Sequence, residues 1–373
     1  MKLCILMDYY GGPHAGTESQ VIKLVEALLA IGCDLSFAVL RHSDYTRTQQ
    51  FPVPVECLEV DKLSNPLSWL SLYRFGRRLK AKGVCLAHVF FNDASVIAPP
   101  MLSLSGIKTI ISRRDMGFWY TPLYRKALPL TGRCVDAAIC NSEAVARITR
   151  DIEKLPQHRL HVIYNGYPPL VGKAETLKAA TRDTDVPVIG LVANLRPIKR
   201  IDDLIRAVAI VFASGIKLEL QLVGGGDQAP YRALAKELGV EEQIIFVGSH
   251  PNPEEVIADF DIAVLCSESE GFSNAIIEYM RCSKPVICTR TGGNPEIVEH
   301  GQNGLLVDVG DVTGLADAIR QLISDPETAA AMGQYGAKRV AEDYSMEAML
   351  EAHLRLYTLV CPQLDFTKGA VQP

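Results

Sequence analysis

Two glutamates and the loop between them form the strongest chemical pattern in the sequence. Glu270 and Glu278 enclose seven residues in EGFSNAIIE, where a small polar loop leads into a helix predicted to begin near Asn274. Gly271 and Ser273 precede this helix, whose first backbone N–H groups can bind a phosphate. A carboxylate at Glu278 can hold both hydroxyls of a ribose, and Glu270 can contact a polyhydroxylated ligand. The alternative is a capped surface helix with two solvated acids, but the turn residues favour a ligand site.

A pair of cations lies on another loop that follows a predicted strand. In VANLRPIKR the strand ends near Ala193 and the next helix begins near Ile201, so Arg196 and Lys199 lie between them. Two cations at such an edge would neutralise a diphosphate as charge develops on it. The alternative is two solvated loop cations.

Glycines follow several predicted strands. Gly16 comes after the first strand and allows a phosphate to approach the backbone closely. The run GGPHAG (11–16) lacks the spacing of a dinucleotide fingerprint, which argues against an NAD-dependent dehydrogenase. VGGGD (223–227) indicates either a tight turn or ligand contact, and Gly248 and Ser249 end a predicted strand in FVGS.

Three further candidates lie in the N-terminal half. Arg114 and Asp115 follow a predicted strand, and they could orient a ligand or form a structural ion pair. His88 lies at the end of the preceding strand, where it could face a ligand, although a histidine in an apolar strand is more often simply packed.

Metal-binding patterns are weak. Residues 183–185 and 259–261 both spell DxD, but the first lies in a predicted linker and the second precedes a buried strand. His158 and His161 lack a third ligand at useful spacing. We therefore expect no required metal and no bound cofactor.

These residues are positioned by a regular alternation of strands and helices. Continuous apolar runs separated by helical patterns predict buried parallel strands, and therefore an α/β fold with ligands beyond the carboxyl ends of the strands. A Pro-, Thr- and charge-rich stretch at 171–187 predicts a linker between domains at 1–170 and 188–345, followed by a helix and tail at 346–373 that we expect to pack back on the first domain. Predicted strands lie at 3–7, 36–40, 84–90, 109–112, 137–141 and 161–165, then at 188–193, 218–223, 244–247, 262–266, 285–289 and 305–307.

Composition limits the function classes. The 373 residues are 48% hydrophobic and 22% charged, which excludes a mainly disordered chain. No apolar run is long enough to span a bilayer, and ten cysteines without a CxxC pair predict a reducing, cytoplasmic setting. Residues 62–133 carry 12 Lys and Arg against only Asp93 and Asp115. Nothing in the sequence suggests nucleic-acid binding.

The ordered motifs resemble a known family. EGFSNAIIE is similar to the Glu-x7-Glu motif of retaining glycosyltransferases of family 4, which have the GT-B fold of two Rossmann-like parallel-sheet domains facing a cleft. NSE (141–143), YNG (164–166), VANLRPIKR, VGGGD, FVGS and TGGNPEIVEHGQNGLLV (291–307) follow in the family's order. One departure is Ala193-Asn194, where family members often have Gly-Arg. In the stretch around Arg114 the family often has a histidine. This chain has Arg114 and Asp115 there instead, so the role of that histidine cannot be assigned to it.

The resemblance implies that the two domains bind different substrates. The first domain would bind the acceptor, and the second would bind a UDP- or GDP-sugar. Glu278 would hold the ribose, Lys199 and Arg196 the diphosphate, and Glu270 the sugar hydroxyls. The loop around Phe272, the Ser273 and Asn274 backbone amides, Gly16, and Gly248 with Ser249 near the base would complete the donor site.

The expected function is therefore transfer of a hexose-type sugar to a hydroxyl of a glycan or lipid-linked acceptor, with retention of configuration, in cell-surface polysaccharide or glycolipid synthesis. A non-catalytic nucleotide-sugar-binding protein, or an epimerase or phosphorylase of the same fold, is the alternative. The helical stretch 69–82 combines Leu72, Phe75 and Leu79 with five cations. It predicts either contact with an anionic membrane, on its cytoplasmic face, or an ordinary domain helix with a solvated basic side.

Overall fold

The structure is a computed structural model that describes residues 1–13, 16–48, 51–170 and 186–364. Its internal contacts divide the chain into two units. The first contains Met1–Gly166 and the C-terminal helix, and the second contains Tyr167–Ser345. Most of the predicted linker, residues 171–185, and the tail from 365 onward lie outside the described residues.

The first unit is built on a seven-stranded parallel sheet with the order β3-β2-β1-β4-β5-β6-β7. The pairing of β1 with both β2 and β4 makes it a central strand, which explains its continuous apolar sequence. The strands are β1 (Lys2–Met7), β2 (Asp34–Val39), β3 (Val55–Cys57), β4 (Leu86–Val89), β5 (Lys108–Arg113), β6 (Ala137–Cys140) and β7 (Leu160–Val162).

Helices cover both faces of this sheet. Alternate β1 residues point to opposite sides: Ile5 packs in the apolar cluster that includes the C-terminal helix, and Leu6 packs in the cluster on the other side. The helices are α1 (Gly16–Ala30), α2 (Asp44–Arg47), α3 (Pro66–Ala81), α4 (Asn92–Leu104), α5 (Pro122–Thr131), α6 (Glu143–Glu153) and α14 (Met346–Val360), with 3-10 turns at Gly132–Cys134 and Gln157–Arg159.

The second unit is built on a six-stranded parallel sheet with the order β10-β9-β8-β11-β12-β13. All six strands match predicted segments. They are β8 (Val188–Val192), β9 (Glu219–Val223), β10 (Ile244–Gly248), β11 (Ile262–Leu265), β12 (Val286–Thr289) and β13 (Gly304–Val307). The change of direction in strand order at β8 and β11 is where open α/β sheets bind ligands.

The helices of the second unit follow the strands as the sequence predicts, except α13 (Pro326–Asp343), which is not predicted and follows α12 (Val312–Ser324) directly. They are α7 (Ile201–Ala213), α8 (Ala229–Glu237), α9 (Pro253–Ile257), α10 (Asn274–Arg281), α11 (Asn294–Ile297), α12 (Val312–Ser324) and α13 (Pro326–Asp343), with 3-10 turns at Pro197–Lys199 and Glu241–Gln243.

No helix within the described ranges is both long and apolar enough to cross a membrane.

Candidate functional site

The loops that follow β8 and β11 meet at the carboxyl edge of the six-stranded sheet. Lys199 Nζ donates to Glu270 Oε1 at 2.5 Å, although the two residues are 71 positions apart in sequence. Their side chains are 24% and 12% exposed, so this ion pair is largely shielded from solvent. The loops are also joined by their backbones, since Glu268 N donates to the Ile198 carbonyl at 2.8 Å. The structure therefore brings together a cation and a carboxylate that the sequence placed on separate motifs.

Gly292 packs closely against the backbone of the loop that carries Glu270. Its φ is +50°, and a Cβ at this position would lie 1.6 Å from the Glu270 carbonyl oxygen. The next residue, Gly293, donates its N–H to the same carbonyl at 3.2 Å. Only glycine fits both the left-handed backbone and the close approach. The turn after β12 thus fixes the backbone that carries Glu270.

The start of α10 is organised by its own loop residues. Ser273 Oγ caps the helix by accepting from Ile276 N at 3.4 Å. Asn274 Oδ1 accepts from the Tyr167 hydroxyl at 2.5 Å. Phe272 is buried, with its ring 5.5 Å from that of Tyr344 in an edge-to-face arrangement. Gly271 is buried as well, so the predicted phosphate-binding loop is rigidly held.

Glu278 lies four residues into α10 and is half-buried. The adjacent Tyr279 is fully buried, and its hydroxyl accepts from Val192 N at 2.7 Å at the end of β8. Burial raises the pKa of Tyr279, and the charges of Glu278 and Glu270 add to this effect. Both carboxylates therefore act on the hydroxyl that joins α10 to β8.

Arg196 lies on the same loop as Lys199 and is exposed, as is Asn194. This loop is shaped by the glycine run after β9. A Cβ on Gly224 would lie 1.9 Å from the Ala193 carbonyl oxygen, and Leu195 N donates to the Gly225 carbonyl at 2.8 Å. Of the two interpretations of VGGGD, close backbone packing is the one that these contacts support.

The predicted nucleotide-base segment follows β10. Gly248 has a φ of +81° and accepts from Gly224 N at 2.8 Å through its carbonyl. Ser249 is exposed beside it. Both residues lie at the carboxyl edge of the sheet, two strands from the Lys199 loop.

The first unit places its predicted residues at the carboxyl ends of its own strands. Gly16 is exposed and begins α1. Arg114 is half-buried and donates to Asn165 Oδ1, while its carbonyl accepts from Asn141 Nδ2 at 3.1 Å. Asp115 accepts from Gly117 N at 2.7 Å, and burial raises its pKa. The structure thus joins Arg114 to the NSE and YNG motifs.

His88 is a packed core residue. It is 0% exposed, and its ring nitrogens hydrogen-bond to the Tyr357 hydroxyl at 2.7 Å and to Ser112 Oγ at 2.8 Å. Burial lowers its pKa well below the usual value, so the ring is neutral. The packing interpretation fits this geometry, and an acceptor contact at His88 is not supported, because both nitrogens are engaged inside the first unit.

Only the second DxD pattern, residues 259–261, lies among the described residues. The first, 183–185, lies outside the described residues. In the second, Asp261 Oδ2 accepts from Val188 N at 2.7 Å, which places it at the amino end of the sheet, away from the carboxyl edge. Among the residues that the structure describes, no group of three or more His, Cys, Asp or Glu could hold a metal ion. The independence from metal stays a prediction.

The basic stretch 69–82 forms most of α3. Its apolar stripe of Leu72, Phe75 and Leu79 is buried in the core, whereas the cations remain on the surface. This helix therefore offers charge to a partner but not its apolar stripe, and membrane contact stays a prediction.

Two supporting residues were not singled out from the sequence. A signal for Gly292 existed, since paired glycines follow a predicted strand in TGGNPE. No such sequence signal exists for Tyr279, because a tyrosine on the apolar side of a helix indicates only core packing.

Comparison with known proteins covers both units. The family model described as glycosyltransferase family 4 matches residues 14–169, and the one described as glycosyl transferases group 1 matches residues 173–339. N-acetyl-alpha-D-glucosaminyl L-malate synthase of Bacillus anthracis is 35% identical over 167 residues, which are 44% of each chain. The lipopolysaccharide core biosynthesis glycosyltransferase LpsE of Rhizobium meliloti is 30% identical over 226 residues, 60% of this chain and 64% of that protein. The chain thus matches less than two thirds of the length of these relatives.

The fold comparison covers almost the whole chain. The crystal structure of Anabaena Alr3699/HepE in complex with UDP superposes with a TM-score of 0.83 at 21% identity, over 96% of this chain and all of that one. The architecture is therefore the GT-B fold. Because the two family models together match most of the sequence, one on each unit, the chain belongs to glycosyltransferase family 4.

Proposed function

We propose that this protein is a retaining glycosyltransferase that moves a hexose-type sugar from a UDP- or GDP-sugar to a hydroxyl of a glycan or lipid-linked acceptor. The observation that carries the proposal is the shielded Lys199–Glu270 pair at the carboxyl edge of the six-stranded sheet. Half-buried Glu278 and the capped start of α10 lie on the same edge. Together they offer a cation, backbone N–H groups and two carboxylates, the complement of a nucleotide diphosphate sugar.

The ion pair suggests how the donor is received. Lys199 would exchange the Glu270 carboxylate for the diphosphate, and Glu270 would then accept hydrogen bonds from the sugar hydroxyls. Glu278 would accept from the two ribose hydroxyls. Arg196, exposed on the same loop, would add a second charge on the diphosphate. With two side-chain cations for this purpose, the proposal requires no metal cofactor.

The proposed chemical step is a substitution at C1 of the donor sugar. The bond from the sugar C1 to the diphosphate oxygen breaks, a bond from the acceptor oxygen to C1 forms on the same face, and the proton of the acceptor hydroxyl passes to an oxygen of the departing diphosphate. Negative charge grows on the departing diphosphate, where Lys199 would stabilise it most. Interactions that strengthen in the transition state raise turnover and not merely affinity.

The printed names of two similar proteins support the choice of donor and of pathway in this proposal. Alr3699/HepE has been crystallised with UDP and with UDP-glucose, which favours UDP over GDP here. LpsE is named for lipopolysaccharide core biosynthesis, which favours a role in cell-surface glycan synthesis.

A non-catalytic nucleotide-sugar-binding protein is the second candidate. It is favoured by Asn194, which stands where many family members have arginine, so that one diphosphate contact is missing or displaced to Arg196.

A transfer assay separates these functions. The full chain would be incubated with UDP- and GDP-hexoses and with glycan and lipid acceptors, and proton NMR would report the anomeric configuration of the product. We expect a product with the donor's configuration. Lys199→Ala should lower turnover roughly 10²–10³-fold, as is typical when one stabiliser of developing charge is lost.

Lys217→Ala is the matched control, because Lys217 is an exposed lysine of the same unit, outside the site. An inverted product would refute the retaining mechanism. Donor binding without turnover over the whole acceptor panel would favour the binding protein, and equal turnover by the Lys199 and Lys217 variants would remove Lys199 from the site.

A further inference from the structure

Two cysteines from distant parts of the sequence lie against each other in the core of the first unit. Cys85 immediately precedes β4, and Cys361 immediately follows α14. Cys361 Sγ donates to Cys85 Sγ at 2.6 Å, although the two residues are 276 positions apart. Both are free cysteines, so the contact joins two thiols. It links the C-terminal helix to the seven-stranded sheet.

The sheet holds the backbone of Cys85 in place. The Cys85 carbonyl accepts from Lys108 N at 2.9 Å, where β5 begins. The strand that follows, β4, pairs with both β1 and β5. Cys85 is only 8% exposed, so a reagent in solution has little access to its thiol.

Cys361 lies at the end of a helix, where the chain opens more easily. Its N–H donates to the Tyr357 carbonyl at 2.8 Å, and its own carbonyl accepts from Leu364 N at 2.8 Å. Leu359 in the last turn of α14 is 69% exposed, whereas Cys361 itself is 5% exposed. Helix ends open locally at a lower free energy than central strands. A reagent in solution should therefore reach Cys361 before Cys85.

Thiol–disulfide exchange accounts for a reaction at this pair. The Cys361 thiolate would attack one sulfur of a small disulfide, such as oxidised glutathione, and one glutathione thiol would leave. The Cys85 sulfur would then attack the Cys361 sulfur, and the second glutathione thiol would leave. The two protein thiols are thereby oxidised to one disulfide, and their two electrons and two protons reduce the small disulfide to two thiols.

The proximity of the two sulfurs matters most for the second attack. Burial, and after it the hydrogen bond with Cys361, raises the pKa of Cys85 to about 12. A thiol is a poor nucleophile until it loses its proton, so Cys85 alone should react slowly. Contact with Cys361 offsets this, because groups held together react faster than groups that must meet by diffusion.

We propose that Cys85 and Cys361 are a redox-responsive pair, which a small disulfide converts into an intramolecular disulfide that cross-links α14 to the seven-stranded sheet. In compartments that keep thiols reduced, such disulfides are usually transient and redox-sensing. The cross-link would close a loop that contains the whole second unit. Closing a long loop restricts the unfolded chain, and the oxidised protein should therefore be more stable.

Mass spectrometry of the full chain tests the inference. The folded protein would be treated with oxidised glutathione, quenched with acid, and labelled with N-ethylmaleimide in denaturant. We expect two fewer labels than the ten cysteines allow, no retained glutathione, and a linked pair of tryptic peptides that contain Cys85 and Cys361. Treatment with dithiothreitol before labelling should restore all the labels.

Cys33→Ser is the matched control, because Cys33 is a buried cysteine of the same apolar cluster. After oxidation it should still carry the Cys85–Cys361 link, whereas Cys361→Ser should form no internal disulfide. Full labelling of the oxidised wild type, or a link that joins Cys33 to either residue, would overturn the inference. The peptide map of the wild type decides this result even if a variant fails to fold.

Thermal unfolding measures the effect of the cross-link on α14. Oxidation should raise the midpoint temperature of the wild type by roughly 5–10 °C, and dithiothreitol should reverse the rise. Cys361→Ser should unfold at the same temperature with and without oxidised glutathione. A disulfide that forms but leaves the midpoint temperature unchanged, or lowers it, would show that the pair does not stabilise the packing of α14.

Discussion

At the scale of single residues, the proposed donor site depends on contacts between loops that are distant in sequence. Lys199 and Glu270 meet at 2.5 Å, and the backbone that carries Glu270 rests on Gly292. A carboxylate on a surface loop is usually free to move, but this one is tied to a neighbouring cation and to a turn. The backbone that carries Glu270 is therefore set before any ligand arrives, which reduces the ordering that binding requires.

Gly292→Ala should disrupt this arrangement. The new Cβ would meet the Glu270 carbonyl at 1.6 Å, and the backbone would stay at a φ of +50°. Gly215→Ala is the matched control, because Gly215 has a φ of +89° and no atom within 4 Å of the added Cβ. Gly215→Ala should lose about 1–2 kcal/mol of stability from backbone strain, measured by urea unfolding. Gly292→Ala should lose more, because its Cβ also overlaps the Glu270 carbonyl oxygen. Only Gly292→Ala should also lose UDP affinity by calorimetry. Wild-type UDP affinity in Gly292→Ala would show that the turn does not position Glu270.

At the scale of elements, the sequence predicts the order of strands and helices well, because a buried parallel strand is apolar along its whole length. It does not predict β3 (Val55–Cys57), which has three half-buried residues at the edge of its sheet and no apolar run. It also misses α13, where alanine and glycine pack closely and leave a weak apolar period. Gly333 in α13 lies so close to the Ser283 carbonyl that a Cβ would be 2.0 Å away.

The candidate site, like the fold, is only partly predictable from the sequence. The sequence predicts Glu270 and Lys199 on loops at strand ends, and Glu278 in the first turns of the helix that follows, because polar residues and glycines there interrupt an otherwise apolar pattern. It does not predict that Lys199 and Glu270 pair, since this depends on β8 and β11 being neighbours in the sheet. Nor does it predict that both nitrogens of His88 are engaged, because one partner, Tyr357, is 269 residues away on α14.

Helix α3 gives a prediction at this scale. Because Leu72, Phe75 and Leu79 are buried, any contact with an anionic membrane would use the exposed charges, and each contributes about 1 kcal/mol near such a surface. We expect the full chain to sediment with phosphatidylserine-containing vesicles at low salt and to be released at high salt, where these charges are screened.

The Arg77→Gln/Arg78→Gln double variant should weaken this sedimentation. The Lys217→Gln/Lys236→Gln variant, which removes two exposed charges from the second unit, should not. Binding to neutral vesicles that equals binding to anionic ones would refute membrane contact through this face.

At the scale of the whole molecule, α14 follows the second unit in sequence but completes the core of the first unit. Its Tyr357 bonds to His88, and its buried His353 lies with the ring centroid 5.8 Å from that of His88. Burial lowers the pKa of His353 to about 4 and lowers that of His88 as well, with contributions from His353 and Arg114. Protonation of either ring therefore opposes the packing of α14.

The buried rings of His88 and His353 predict that the free energy of unfolding decreases at acid pH. His353 has a lower pKa in the folded chain than its ordinary value of 6.5, so its contribution is complete above pH 6.5 and is lost as the pH falls toward 4. At pH 5 the loss is about 2 kcal/mol for this residue. Urea unfolding at pH 7 and pH 5 should show a smaller loss of stability for His353→Gln than for the wild type.

His158→Gln is the control, because His158 is exposed on a 3-10 turn of the same unit. It should follow the wild type at both pH values. An equal loss in the wild type and in His353→Gln would show that α14 packing does not depend on a neutral histidine.

The proposed donor site in the second unit is tested most directly by calorimetric titration of the full chain with UDP, and with GDP in parallel. We expect one molecule of UDP to bind per chain. Glu278→Gln should weaken binding about tenfold or more, because hydrogen bonds to a charged carboxylate are lost. Glu242→Gln, which alters an exposed glutamate elsewhere in the same unit, should bind as the wild type does. Absence of binding to either nucleotide, or equal affinity in Glu278→Gln and the wild type, would contradict the assignment of this edge as the nucleotide-sugar site.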